Sequence, residues 1–229
     1  MELEPLREKY STVFAILNNT YGRPVWHTHG SPMDQLVGTI LSQATADVNT
    51  ERAYASLIAR FPDWESVMDA PPEEVVAAIR SAGLSNIKGP RIQAALRYVQ
   101  RQRGELSLDF LADLPLAEAL AWLTAIDGVG PKTASIVLLF SLGRPAFPVD
   151  THVYRVTRRL GLLPERMNAN QAHDFLAALG APETYYPMHI NLIRHGREIC
   201  RARSPQCHIC PLQDWCNYYQ MVVVRAADA

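Results

Sequence analysis

Four cysteines, crowded into one short window near the C-terminal end, constrain the fold of this chain more than any other feature. They are Cys200, Cys207, Cys210 and Cys216, with six, two and five residues between them. No other cysteine occurs in the 229 residues, and a protein of the reducing cytosol does not keep disulfides. Structural zinc sites commonly pair two short Cys-x2-Cys knuckles, of which only one is present here. The spacing predicts a compact metal centre wrapped by one loop, and it leaves zinc and iron open.

Apolar residues recur at helical spacing almost everywhere along the chain, and clear strand alternation is absent. Proline, glycine, asparagine and aspartate divide this pattern into many short helices. The predicted helices cover 6–21, a segment from 32, 49–61, 72–82, 87–102, 116–126, 132–142, 151–160, 169–179 and 186–199. Asn168 or Asn170 is a candidate N-cap for the helix at 169–179. The predicted class is all-α.

Composition and charge narrow the class of protein further. The chain is 48% hydrophobic, which suffices for one large core or two small ones. It has no long apolar run and begins with charged residues, so we expect a cytoplasmic protein without a membrane span. The net charge of −1 argues against a strongly basic nucleic-acid binder. Residues 144–203, however, contain nine arginines against five acids, which is typical either of a phosphate-facing surface or of a solvated helix face.

A glycine-rich turn lies at the centre of the chain, in the segment from Ile126 to Ala134. Gly128 and Gly130 permit a tight turn with positive φ angles, and Pro131 suits the first position of the next helix. The residues that follow are apolar on all sides, so that helix should be buried. A helix N-terminus behind such a turn can bind a phosphate, although an ordinary interhelical turn explains the pattern as well.

Lys132 and Asp150 are the candidate catalytic residues. Lys132 falls in the first turn of the helix after the glycines, where the helix dipole opposes a cation. A partly buried amine there has a lowered pKa, and a neutral amine can attack carbon to form a Schiff base. Asp150 is predicted to cap the helix at 151–160, and a carboxylate near a sugar can also stabilise the positive charge that develops as a glycosidic bond breaks.

Taken together, these motifs resemble those of the endonuclease III family of helix-hairpin-helix DNA glycosylases. The family has Leu-Pro-Gly-Val-Gly-x-Lys-Thr-Ala, then Val-Asp-Thr-His, with eighteen residues from lysine to aspartate. This chain has Ile126 to Ala134 and Val149 to His152 at that separation. Its cysteine spacing also matches the family's cluster loop, which follows His195-Gly196-Arg197.

The resemblance implies a two-lobed fold with two domains and a bound cluster. A six-helix barrel carrying the hairpin is expected over 31–143, and an iron–sulfur domain over 1–30 and 144–229. The four cysteines are expected to hold a 4Fe–4S cluster with a structural role.

The function implied by the resemblance is that of a bifunctional DNA glycosylase and abasic-site lyase of base excision repair. Lys132 would attack the sugar C1′ and Asp150 would assist departure of the base, with β-elimination nicking the strand afterwards. The expected substrates are oxidised or ring-saturated pyrimidines in double-stranded DNA, and abasic sites. A monomer associated with the nucleoid is expected.

The resemblance also implies a set of DNA contacts. They are Gly128, Val129, Gly130, Thr133, His152, Arg201 and Arg203, with Gln43 and Leu84 as the wedges that fill the space of the extruded base. Two features depart from the family. Asp127 brings a negative charge to the hairpin, and alignment of the wedge segment places Ala44, rather than Gln43, at the wedge position. Alternatively, Leu84 has no role in DNA binding and caps the end of a helix.

Two other functions remain open from the sequence. One is a monofunctional adenine or mismatch glycosylase, which activates water and has no use for a nucleophilic lysine. The other is a non-catalytic iron–sulfur DNA-binding protein, which needs neither Lys132 nor Asp150.

Overall fold

The computed structural model describes residues 3–224, and that range contains helices and loops but no β-strand. Its α-helices are α1 (Glu4–Tyr21), α2 (Pro32–Ser42), α3 (Asp47–Arg60), α4 (Trp64–Asp69), α5 (Pro72–Ala78), α6 (Ser85–Arg103), α7 (Leu116–Thr124), α8 (Pro131–Ile136), α9 (Thr151–Leu160), α10 (Ala169–Leu179) and α11 (Tyr185–Glu198). Short 3₁₀ turns lie at Arg80–Ala82, Asp109–Ala112, Pro182–Thr184, Cys207–Ile209 and Gln213–Trp215. None of the helices in 3–224 is long and apolar enough to cross a membrane.

The chain divides into two compact units. The hairpin unit is Thr28–Arg144 and contains α2 to α8; the terminal unit combines Met1–His27 with Pro145–Ala229 and contains α1 and α9 to α11. The predicted all-α, two-lobed class is therefore confirmed. The functional domains stay a prediction, with the six-helix barrel over 31–143 and the iron–sulfur domain over 1–30 and 144–229.

In the hairpin unit, α2 begins at a capping box. Ser31 Oγ accepts the Asp34 N–H at 3.1 Å, and the Asp34 carboxylate accepts the Ser31 N–H at 3.0 Å. Pro32 occupies the first turn, where its missing N–H costs nothing. The apolar face that this start directs inward is fully buried and consists of Leu36, Val37, Ile40 and Leu41.

The helix after the glycine-rich turn is buried, as predicted. α8 continues into a π-helical segment, Val137–Ser141, whose side chains are almost all inaccessible to solvent. The turn in front of α8 is therefore followed by a helix that close packing holds in place.

In the terminal unit, α1 contributes a buried stripe formed by Leu6, Tyr10, Val13 and Leu17. The loop before α11 passes close to this stripe at Gly180. A Cβ atom at Gly180 would lie 2.4 Å from Tyr10 Cε1, so only glycine admits the ring. The Tyr10 hydroxyl then shares a hydrogen bond of 3.0 Å with Thr184 Oγ1. These contacts tie the start of the chain to its last third.

Helix limits differ from the prediction in a few places. The helix α4 was not predicted, because six residues are too few to show a 3.6-residue period; a capping box between Asp63 and Ser66 fixes its start. The helix predicted at 72–82 ends at Ala78 and is followed by a 3₁₀ turn. A π-helical turn, Tyr219–Val224, follows the cysteine loop and lies outside the predicted helices. The predicted N-cap Asn168 is confirmed, since its side chain accepts the Gln171 N–H at 3.0 Å.

Candidate functional site

The glycine-rich turn connects α7 to α8, and its two glycines differ. Gly128 has φ of +77°, which favours glycine, and a Cβ atom there would lie 2.4 Å from Arg91 Cδ, so the Arg91 side chain would have to move. Gly130 has φ of −92° and ψ of 179°, which any residue adopts, and a Cβ atom there would meet nothing within 4 Å. The prediction of positive φ is therefore confirmed at Gly128 and wrong at Gly130. Nothing in the fold requires glycine at position 130.

Lys132 lies in the first turn of α8, directly after this hairpin. Its side chain is half-buried, and its amine makes no hydrogen bond or ion pair within the described hairpin unit. Thr133, beside it, is buried, and Val129 is buried beneath the turn. Asp127, which departs from the family pattern, is exposed at the edge of the turn.

The predicted wedge residues lie on two other loops of the hairpin unit. The Gln43 side chain is occupied: its Oε1 accepts from Arg91 Nη1 at 3.0 Å, and its Nε2 donates to Gly128 O at 3.4 Å. Its neighbour Ala44 is exposed and has φ of +52°. Leu84 is 59% exposed with φ of +48°, at the N-cap position of α6, where it offers no side-chain cap.

Two cations on α6 were not singled out from the sequence. Lys88 is buried beneath the loops that carry Ala44 and Leu84, and Arg91 packs under Gly128. No short-range pattern indicates these contacts, because the partners lie up to 48 residues away in the chain.

Asp150 begins α9 in the terminal unit. Its Oδ1 accepts the Val153 N–H at 2.7 Å, which confirms the predicted N-cap. Its other carboxylate oxygen accepts no hydrogen bond within the described part of this unit. One oxygen is thus committed to the helix, and the other remains available to a ligand.

Two buried histidines, which sequence reasoning missed, fix the extended segment before Asp150. His173 Nδ1–H donates to Phe147 O and His189 Nδ1–H donates to Pro148 O, both at 2.9 Å. Burial lowers the pKa of His173, so its ring is held neutral. These bonds restrain the two carbonyls that lie three and two residues before Asp150.

His152, in the first turn of α9, lies against Gly196 in the last turn of α11. Arg155 Nη2 donates to His152 Nδ1 at 3.0 Å and to Gly196 O at 2.8 Å. Since arginine can only donate, Nδ1 is the acceptor and the neutral ring carries its proton on Nε2. Its predicted contact with DNA stays a prediction.

The four cysteines Cys200, Cys207, Cys210 and Cys216 are half-buried free thiols that line one cavity together with Arg159, His195, Leu212 and Tyr218. In residues 3–224, no group of three or more His, Cys, Asp or Glu side chains could hold a single metal ion. Four cysteine thiols that face one cavity are the ligand set that a 4Fe–4S cluster takes, so the residues present fit such a cluster.

Hydrogen-bond donors around the thiols also fit a cluster. Arg159 Nη1 donates to Cys200 Sγ at 3.3 Å, and His195 Nε2 lies 3.6 Å from Cys210 Sγ. The Tyr21 hydroxyl bonds His195 Nδ1 at 3.0 Å, which leaves the Nε2 proton for sulfur. A cluster held by four thiolates is negatively charged, so donors of this kind stabilise it.

Burial raises the pKa of Cys207 and Cys216, and it raises that of Cys210 to about 11. Raised pKa values favour the protonated thiols, so binding of iron by the thiolates must release protons.

Arg201 and Arg203 extend from the cysteine loop into solvent. The backbone of the loop is held from behind, because Arg159 Nη1 donates to Arg201 O at 2.7 Å and its Nη2 to Ala202 O at 3.1 Å. The two arginine heads are thus presented on a fixed backbone, and their contact with DNA stays a prediction.

Comparisons with known proteins agree with this architecture. Residues 37–181 match the HhH-GPD superfamily of base excision DNA repair proteins, and residues 200–216 match the iron–sulfur binding domain of endonuclease III. Endonuclease III of Thermotoga maritima is 31% identical over 194 residues, which are 85% of this chain and 86% of the relative. Endonuclease III of Escherichia coli K12 is 34% identical over 193 residues, 84% and 86% of the two chains.

A solved structure of a trapped endonuclease III–DNA covalent intermediate has the same fold. It superposes with a TM-score of 0.79 at 26% identity, over 96% of this chain and 98% of that one. Since a family model covers more than half of the chain and the relatives are matched over most of their length, the chain belongs to the endonuclease III family: it is a base excision DNA N-glycosylase and abasic-site lyase that carries a 4Fe–4S cluster.

Proposed function

We propose that this enzyme removes oxidised or ring-saturated pyrimidines from double-stranded DNA, with Lys132 as the nucleophile and Asp150 as the carboxylate that assists departure of the base. We also propose that it acts as a monomer, in the cytoplasm, on the DNA of the nucleoid. The trapped endonuclease III–DNA covalent intermediate supports a covalent mechanism in general terms, and the residue roles rest on the chemistry below.

The observation that carries the proposal concerns the three lysines of the chain, Lys9, Lys88 and Lys132. Lys9 donates to Asn217 Oδ1 at 3.0 Å, and Lys88 is buried with three oxygen partners. The Lys132 amine is the one that has no hydrogen bond within its described unit. It also stands where the dipole of α8 opposes a cation, so the fold gives no reason for a lysine there.

The proposed reaction begins when Lys132 Nζ donates its electron pair to C1′. The bond from C1′ to the base nitrogen breaks, and the base leaves with that electron pair and takes up a proton. The amine nitrogen gives up one proton that balances the proton taken by the base, and it gives up a second to O4′ as the sugar ring opens, which leaves an imine between Nζ and C1′. Loss of a C2′ proton then expels the 3′ phosphate, and hydrolysis of the imine restores the lysine.

Asp150 has the charge and the free oxygen that the first step needs. Its uncommitted carboxylate oxygen can stabilise the positive charge on the sugar as the glycosidic bond lengthens. The oxygen bound to the Val153 N–H holds the group in one orientation, and the histidine-restrained segment before it limits its movement.

The DNA contacts proposed for the hairpin fit the geometry of Gly130. Because the fold does not require glycine there, close approach of a phosphate explains why no side chain occupies that space. We extend the proposal to Val129, Thr133, His152, Arg201 and Arg203, as the resemblance implies.

For the wedge, Leu84 and Ala44 fit better than Gln43. The amide of Gln43 is engaged by Arg91 and Gly128 O, so we propose that it braces the hairpin. Ala44 and Leu84 are both exposed at the tips of their loops, where they can enter the space of an extruded base.

The test is borohydride trapping on duplexes that contain thymine glycol or an abasic site. We expect a covalent adduct whose mass maps to Lys132, an unambiguous assignment because only three lysines exist. Lys132→Ala should abolish the adduct, whereas the control Lys9→Ala should retain it. Base release without an adduct would show a monofunctional enzyme, and an adduct at another amine would reject Lys132 as the nucleophile.

A further inference from the structure

Lys88 is the least expected side chain of the hairpin unit. It lies in the first turn of α6, yet it is only 1% exposed. Lysine is almost never fully buried unless it is paired with an acid. No ion pair between residues 3 and 224 includes it, so its charge must be balanced by other means.

Three oxygen atoms surround its ammonium group. Nζ donates to Leu41 O at 2.6 Å, to Thr45 Oγ1 at 2.5 Å and to Ala82 O at 2.8 Å. These bonds use all three N–H donors of the group. The Leu41 carbonyl belongs to the last turn of α2, where a cation complements the helix dipole.

These oxygens belong to two separate loops. Leu41 and Thr45 flank the loop after α2, and Ala82 precedes the loop before α6. The Thr45 hydroxyl accepts from Lys88 and donates to Ala82 O, so the two loops are also bonded to each other. The ammonium is thus a fixed centre that sets the distance between them.

Each loop carries one strained residue at its tip. Ala44 and Leu84 have φ of +52° and +48°, and they are the only residues of the described hairpin unit, other than glycine, with positive φ. Side chains avoid this region, and strain of this kind persists only where the surroundings over-determine it. Both tips point into solvent although their backbones are held from below by the same group.

Stability alone does not account for Lys88. Burying its charge carries a desolvation cost, which the three hydrogen bonds must offset, whereas an apolar side chain would carry no such cost. A buried charge that holds two exposed, strained tips in register is better explained by the task of those tips.

We propose that Lys88 is a positioning residue for base extrusion, which holds the loops of Ala44 and Leu84 in one rigid arrangement so that both enter the duplex together. This inference rests on the proposed function. Extrusion removes a base from its stack and from its pairing partner and leaves a gap in the duplex. If the loops of Ala44 and Leu84 could move, these residues would not keep that gap open. Lys88 touches neither substrate nor reacting atoms.

The test compares a lesion in a fully paired duplex with the same lesion in an unpaired bubble, where unstacking is already done. For Lys88→Met, single-turnover excision from the paired duplex should fall at least about tenfold, since misplacement on the ångström scale can cost up to ~100-fold. Excision from the bubble should change by less than about threefold. A general loss of folded enzyme would lower both rates equally.

Gln93→Met is the matched control. Gln93 is also buried on α6 and donates to backbone oxygens, at 3.0 Å to Val67 O and 2.8 Å to Ala70 O, far along the helix from the two loops. Its loss should leave the ratio of paired to bubble rates unchanged. Thr45→Val removes one link of the same network and should shift the ratio in the same direction as Lys88→Met.

A second readout separates this inference from the proposed function. In a Lys132→Ala background, the fluorescence of 2-aminopurine beside the lesion reports unstacking without chemistry, and Lys88→Met should reduce the rise on binding. The proposed role of Lys88 would be overturned if Lys88→Met changed neither the ratio of paired to bubble rates nor the rise in fluorescence. If Lys88→Met does not fold, the same two results with Thr45→Val would overturn it. Trapping without Lys132 dependence would instead reject the proposed function.

Discussion

Asp150 combines two tasks that substitution can separate. One carboxylate oxygen caps α9 through the Val153 N–H, and the charge is proposed to act on the sugar. Asparagine keeps an oxygen acceptor at the cap and removes the charge. Alanine removes both. Comparing Asp150→Asn with Asp150→Ala therefore tests the cap and the charge independently.

The expected magnitudes follow from the half-buried cap. Loss of the charge from the N-terminus of α9 should cost about 0.3–1 kcal/mol, and loss of the capping oxygen a further ~1 kcal/mol. For a chain of this length, each kcal/mol lowers Tm by roughly 2–4 °C. Asp150→Asn should therefore melt about 1–4 °C below the wild type, and Asp150→Ala roughly 3–8 °C below it.

Catalysis should respond differently. If the carboxylate stabilises charge in the transition state, both variants should lose about 10²–10³-fold in single-turnover base release. The assays are thermal denaturation followed by circular dichroism and gel separation of cleaved oligonucleotides, with visible absorbance to confirm equal cluster content. Full activity of Asp150→Asn would refute the electrostatic role, and equal melting of the two variants would refute the role of the cap.

The remaining predictions concern backbone and pH. Gly128→Ala should lower the free energy of unfolding by about 1–3 kcal/mol, because its φ is +77° and the new Cβ would overlap Arg91. Gly130→Ala should leave Tm unchanged or slightly raised, but its affinity for duplex DNA, measured by fluorescence anisotropy, should fall. Equal changes of Tm in the two variants would contradict the conclusion that the fold needs glycine at position 128 and not at position 130. Burial lowers the pKa of His173, so the folded state resists its protonation, and stability should decline as pH falls below about 6.5. His173→Asn keeps a donor for Phe147 O but does not titrate, so its Tm should decline less than that of the wild type between pH 8 and pH 5. Parallel curves of Tm against pH for the two proteins would contradict this role of His173.

The features that sequence alone predicted are those encoded over short stretches. The cysteine spacing, the glycine-rich turn, the lysine behind it and the cap at Asp150 each occupy fewer than twenty consecutive residues. Local rules of turns, caps and metal ligands apply directly to such stretches. Helical periodicity likewise predicted all α-helices of the described range except the short α4.

The features that escaped prediction depend on contacts between distant segments. Lys88 looks like a surface lysine until Leu41 O, 47 residues earlier, is placed against it. Gln43 looks like a free wedge until Gly128, 85 residues later, accepts its amide. Local rules give no reason for either contact, because tertiary packing decides which polar groups remain free.

The terminal unit is assembled from both ends of the chain, and this has a consequence for how the protein is made. α1 leaves the ribosome well before its packing partner α11, which begins roughly 160 residues after α1 ends. At ordinary rates of translation the buried face of α1 stays uncovered for on the order of ten to thirty seconds, while the contiguous hairpin unit can already fold. The nascent protein is therefore expected to need chaperone protection at α1, and the cluster can be loaded only after all four cysteines have been synthesised.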